Sequence, residues 1–118
     1  PNILIKVPAT KEGVKAIQKL TEIGINTNAT LMFNQEHYKD VADAFIDGCS
    51  KYNKNIFPFS VASFFVSRVD TAIDKLISDK NNKSNLLGEI AILNSRLAYV
   101  NFLNSICNYL CRSFHLHL

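Results

Sequence analysis

Pro1-Asn2-Ile3-Leu4-Ile5-Lys6-Val7-Pro8-Ala9-Thr10 opens the chain, and its reading decides the fold. A β-branched, apolar run ends abruptly at Thr10, a residue suited to cap a helix. Such a run describes a strand buried on both faces, the kind found in parallel sheets flanked by helices. Lys6 is costly in that setting. Desolvation disfavours the ammonium and favours the free amine, which can attack a carbonyl. The alternative is a lysine near a strand end that reaches water along its own stem.

Working outward, Thr10 caps a first helix with Glu12 in its first turn, Val14, Ile17, Leu20 and Ile23 as its apolar stripe, and Gly24 as its terminator. A strand follows over 25–33. Its alternation puts Asn26, Asn28, Thr30 and Met32 on one face and Ile25, Thr27, Ala29, Leu31 and Phe33 on the other. Asn34 caps a second helix, where Tyr38, Val41, Ala42, Phe45, Ile46 and Cys49 keep helical spacing. After a polar loop over 50–55, a third strand runs from Ile56 to Val66, with Pro58 near its entry. A third helix from about Thr71 to Ser78 turns Ile73, Leu76 and Ile77 inward. A fourth strand is expected over Gly88–Leu93 and a last helix from about Asn94.

The order β-α-β-α-β-α-β-α indicates parallel pairing through crossover helices. An open doubly wound sheet and part of a (β/α)8 barrel both satisfy it. No glycine-rich phosphate loop follows any strand, which counts against a dinucleotide fold. Lys6, Asn28, Thr30, Ser63 and Arg68 fall late in a strand or just beyond one, where barrel chemistry gathers, and this favours the barrel.

Composition closes off other classes. Of 118 residues, 47% are hydrophobic and 19% charged, which excludes a disordered chain. A net charge of +3 is weak and dispersed; Lys80 and Lys83 sit among asparagines in a solvated loop, so no nucleic-acid partner is expected. No leader pattern is visible, and the default compartment is the cytoplasm. Three cysteines, Cys49, Cys107 and Cys111, form no disulfide framework. Cys107, Cys111, His115 and His117 match no metal motif, and no metal is expected. Asn101, Asn104, Asn108 and Arg112 interrupt the apolar stretch 97–118, so it is not expected to span a membrane.

Three segments in order carry a resemblance: Ile5-Lys6-Val7-Pro8-Ala9-Thr10-Lys11-Glu12-Gly13, Gly24-Ile25-Asn26-Thr27-Asn28-Ala29-Thr30-Leu31-Met32-Phe33, and Ser60-Val61-Ala62-Ser63-Phe64-Phe65-Val66-Ser67-Arg68-Val69-Asp70. Over about residues 1–100 the chain resembles the transaldolases. The resemblance implies a partial (β/α)8 TIM barrel of about four β-α units, strands four to seven, as one domain over 1–118 with a divergent tail over about 101–118.

It also implies a function. Lys6 matches the lysine that forms a Schiff base with a ketose phosphate, and the imine serves as electron sink when the C3–C4 bond breaks. Asn28 and Thr30 match positions that hydrogen-bond the dihydroxyacetone unit and help place a catalytic water, Ser63 a substrate-binding position lining the same site, and Arg68 the phosphate-binding arginine. The implied reaction moves that unit from fructose 6-phosphate or sedoheptulose 7-phosphate to an aldose phosphate, as in the non-oxidative pentose phosphate pathway, without metal or organic cofactor. A fructose 6-phosphate aldolase is a related possibility. Taken as residues alone, Asn28 and Thr30 could bond backbone at a strand end, Ser63 a neighbouring strand, and Arg68 an ion pair with Asp70.

The chain also departs from the family pattern. The aspartate of the first strand and the glutamate of the third have no counterpart here, and Glu12, Glu36 and Glu89 are not matched to that role. An inactive, phosphosugar-binding remnant is therefore the alternative reading. A frame change or truncation would account for the tail, and unpaired barrel edges lead us to expect self-association or marginal stability.

Overall fold

Two side chains set where the first helices begin. Thr10 Oγ1 accepts from the Gly13 N–H at 3.1 Å, and Asn34 Oδ1 accepts from the His37 N–H at 2.8 Å. Each occupies one of the donors that a first helical turn leaves free. The structure, a computed structural model, describes residues 2–79 and 85–114. In order it comprises β1 (Ile5–Pro8), α1 (Lys11–Glu22), β2 (Thr27–Met32), α2 (Gln35–Lys51), β3 (Ser60–Phe64), α3 (Ser67–Asp79) and α4 (Ile90–Phe114).

The strands form one parallel sheet in the order β1-β2-β3. Lys6 lies opposite Asn28, and Asn28 opposite Val61. α1 and α2 pack on one face of this sheet and on each other. The core there joins Val7 and Ala29 to Ile17, Met32, Tyr38, Val41 and Ala98. Gly48 lets the two helices approach closely: a Cβ at that position would sit 2.6 Å from Thr21 Cβ and 2.8 Å from the Gln18 carbonyl oxygen. Gly24, at φ +83°, ends the first helical segment as its position suggests.

Several sequence expectations are corrected. β1 is not buried on both faces: Val7 is buried on the helix side, but Lys6 is exposed and Ile5 is 45% exposed. The described helices cover one face of the sheet, so the other meets solvent. Met32 does not share a face with Asn28 and Thr30. A register shift between Ala29 and Met32, with Leu31 at φ +59°, turns Met32 into the core beside Ala29. That left-handed conformation costs a leucine about 1–2 kcal/mol.

The third correction is the largest. Gly88–Leu93 is not a strand: residues 85–89 are a turn and α4 begins at Ile90. The Leu93 N–H already donates to Glu89 O at 2.9 Å. What decides is the spacing Ala91–Asn94–Ala98–Asn101, which places two buried alanines and two bonding amides on one helical face. The short apolar run over 90–93 concealed it. The described architecture is thus three β-α units followed by a further helix, not four units.

Finally, Leu76 does not point inward but is 60% exposed, and α3 has no fully buried residue. Ile73 and Ile77 are half-buried. α3 and β3 also differ from their expected limits, because the helix starts at Ser67 and the strand spans only Ser60–Phe64. Lys80, Lys83, His115 and His117 lie outside the described residues, as do the side chains of Cys107 and Cys111. Among the described residues no helix is long and apolar enough to cross a membrane, and no three potential metal ligands gather.

Candidate active site

Parallel register builds the site. Residues paired across a parallel sheet face the same way, and side chains alternate along each strand. Lys6, Asn28 and Val61 therefore share the face away from the helices, since their neighbours Val7 and Ala29 are in the core. Thr30, two residues beyond Asn28, is paired with Pro8 and buried to 6% exposure. Its carbonyl accepts from the Ala9 N–H at 2.8 Å, joining the ends of β1 and β2.

Ser63 comes to the same face. Its Oγ donates to Asn28 Oδ1 at 2.8 Å, a bond between β3 and β2 in a part-buried setting. This is the cross-strand contact expected of Ser63 on its residues alone. It also fixes the Asn28 amide, whose Nδ2 donors make no bond within the described residues. On the helix side, buried Thr27 Oγ1 donates to Ser60 Oγ at 2.9 Å, so the sheet leaves no hydroxyl there unpaired.

Arg68 stands apart from these residues, exposed in the first turn of α3. The ion pair with Asp70 does not form. The ion pairs among the described residues are Lys19–Glu22, Lys39–Asp43 and Lys51–Glu22. Instead the guanidinium lies over the Phe65 ring, Cζ to centroid 4.8 Å. The structure thus brings Lys6, Asn28, Thr30 and Ser63 to one sheet face and leaves Arg68 at its C-terminal rim, where a helix N-terminus adds partial positive charge.

Carboxylates are not drawn to this face by any described contact. Glu12 and Glu36 are exposed in the first turns of α1 and α2, and Glu89 is exposed in the turn before α4. Nor does Cys49, the one cysteine whose side chain is described, offer a second nucleophile: burial pushes its thiol up to about 11, which keeps it protonated. Burial likewise raises the Tyr38 phenol.

Sequence reading missed two arrangements. One is the network that ties α4 to the start of α2 and to the residue just beyond β2. Gln35 Nε2 donates to Asn94 O and Oδ1, each at 2.7 Å, Asn94 Nδ2 to Phe33 O at 2.9 Å, and Asn101 Nδ2 to Gln35 Oε1 at 2.9 Å. Its signal was the 94–98–101 spacing within the expected last helix, read there only for its apolar residues. The other is the stacked pair Phe33 and Phe65, centroids 5.2 Å apart, which only the strand register brings together.

Comparison with known proteins gives the same direction. The family model described as transaldolase/fructose-6-phosphate aldolase matches residues 1–110. The chain is similar to a transaldolase of Saccharopolyspora erythraea, 46% identical over 84% of this chain and 28% of that protein. It is 45% identical to transaldolase 1 of Streptomyces coelicolor, over 84% of this chain and 28% of that protein. With a transaldolase of Mycobacterium tuberculosis the identity is 42%, over 86% of this chain and 29% of that protein. The chain therefore spans less than a third of the length of the curated relatives it matches.

Proposed function

The chain belongs to the transaldolase/fructose-6-phosphate aldolase family, and from that premise we propose that it carries the Schiff-base portion of a transaldolase site, on strands that correspond to the fourth to sixth of a (β/α)8 barrel. The observation that carries this reading is the shared face of Lys6, Asn28, Thr30 and Ser63, built by register and by one cross-strand bond.

In this reading Lys6 Nζ attacks the keto carbon of a sugar phosphate. A carbon–nitrogen bond forms and water leaves, giving a protonated imine. Cleavage of C3–C4 then sends its electron pair into that imine, the C4 hydroxyl gives up its proton to water, and an aldose phosphate leaves. The free Nδ2 donors of Asn28 and the hydroxyl of Ser63 hold the hydroxyls of the three-carbon unit, Thr30 helps place water, and Arg68 takes the phosphate through its planar N–H donors. The resulting enamine carbon adds to the carbonyl of a second aldose phosphate, and water then hydrolyses the re-formed imine, releasing the new ketose phosphate and the free Lys6 amine. Lys6 is exposed, so the described residues do not themselves dry its amine.

Borohydride trapping with fructose 6-phosphate tests this. Reduction of the imine should leave a stable adduct on Lys6, read by mass spectrometry, and Lys6→Ala should abolish it. No adduct on the wild-type chain would sink the proposal. A second reading, phosphosugar binding without turnover, is favoured by the exposed Lys6 and by glutamates that stay at helix starts. Adduct without transfer to erythrose 4-phosphate would select it, and release of free dihydroxyacetone would select fructose 6-phosphate aldolase chemistry. Arg68→Ala should weaken sugar-phosphate binding by about 1.5–3 kcal/mol, the range of a hydrogen bond to a charged group.

Self-association completes the proposal. β1 and β3 each leave one edge unpaired among the described residues, and Ile56, Phe57 and Phe59 are 84%, 53% and 51% exposed beside β3. Size-exclusion chromatography should show species larger than a monomer; a stable monomer at high concentration would remove this part.

A further inference from the structure

Phe33 is the first residue beyond β2, and Phe65 the first beyond β3. Their rings stack, 5.2 Å between centroids and 23° between planes. The Phe65 N–H donates to Met32 O at 2.8 Å, so the backbone holds the two strand ends together beneath the rings. His37 meets the Phe33 ring edge-on at 6.5 Å and 69°. Arg68 lies over the Phe65 ring at 4.8 Å. Two strand ends and two helix starts thus supply one continuous row, Arg68–Phe65–Phe33–His37.

We propose that the Phe33–Phe65 stack is a positioning platform for Arg68, holding its guanidinium over a ring face so that N–H donors stay available to a phosphate. The inference rests on the reading of Arg68 as the phosphate ligand. Its physical reason is the way the two interactions use different parts of the group. A ring face attracts the cation through the guanidinium plane, whereas carboxylates and phosphates take the in-plane N–H donors. A pair with Asp70 would consume those donors; the ring does not. An arginine already held also loses less freedom when an anion binds. Phe33 acts through Phe65, because a ring stacked on one side and tied by its backbone cannot swing away.

Two measurements separate this inference from the reading beneath it. First, without ligand, the Arg68 Nε–Hε resonance should be displaced by the ring current in the wild-type chain and in Phe65→Tyr. It should return to the free-arginine position in Phe65→Leu, with the Ala29 and Val41 amides unmoved to show that the core is intact. An undisplaced resonance in the wild-type chain overturns the proposal. Second, titration with inorganic phosphate should show Phe65→Leu binding about two- to fivefold more weakly, and Phe33→Leu less affected. In an Arg68→Met background, Phe65→Leu should make no further difference. Equal weakening in both backgrounds would mean that the ring is merely structural, and would overturn the proposal. A displaced resonance with no phosphate binding by any form would leave the stack standing but remove the phosphate role and the positioning proposal with it.

Discussion

The first half of the chain, β1 to α2, and the second, β3 to α4, both place helices after a strand and come to different ends. In the first, Ile17, Ala29 and Met32 have no exposed surface, and Thr21 and Thr27 are buried with their hydroxyls bonded. In the second, α3 buries no residue fully, and α4 exposes Leu97 and Tyr99 to 51% and 61%. The contrast teaches that periodicity defines a helical face without supplying its cover. α1 and α2 cover one another at Gly48 and share the sheet beneath. α3 touches α4 but reaches no sheet through a buried side chain.

The sharpest way to break this comparison is a pair of truncations. Ile17→Ala should cost about 2–5 kcal/mol by urea unfolding, because it empties a fully buried site. A cost near zero would mean that the first half holds no more of the stability than the second. Gly48→Ala should follow at about 1–3 kcal/mol, since the added methyl meets Thr21 and the Gln18 carbonyl oxygen unless α1 moves. Leu76→Ala should change stability by less than about 0.5 kcal/mol, as expected of an exposed position. Native-state hydrogen exchange sharpens the same contrast: amides of β2 and α2 should outlast those of α3.

The smallest effect concerns acid. Hydrogen bonds from Lys19 and Lys51 hold the Glu22 carboxyl below its ordinary 4.5. A lowered folded-state value means a contribution that is present above about pH 4.5 and lost as pH falls through the folded value. Glu22→Gln should therefore flatten the stability profile below pH 4.5 and leave α3 unaffected. Because the group is at the surface, the change should be slight.

How much the sequence revealed depends on the range of the interaction. Thr10, Asn34 and Gly24 act within a few residues, and all three mark helix ends as their chemistry requires. The site face was legible for Lys6, Asn28 and Thr30, whose strand positions need only alternation. Met32 was not, because Leu31 breaks the alternation through a conformation no residue count reveals. Gly88–Leu93 misled because a short apolar run satisfies strand and helix equally, and the choice was made by α2 and the Phe33 carbonyl, far away in sequence.

By itself, the sequence determined the parallel β-α order of the first three units, the caps and the residue types of the site, since each rests on local sterics and on the period of a strand or helix. Only tertiary structure decided that one sheet face stays open, that Lys6 is exposed on it, that Ser63 grips Asn28, and that Arg68 lies on Phe65 instead of pairing with Asp70. Those outcomes depend on which strand lies beside which and in what register, and that is settled by burial between residues far apart in the chain.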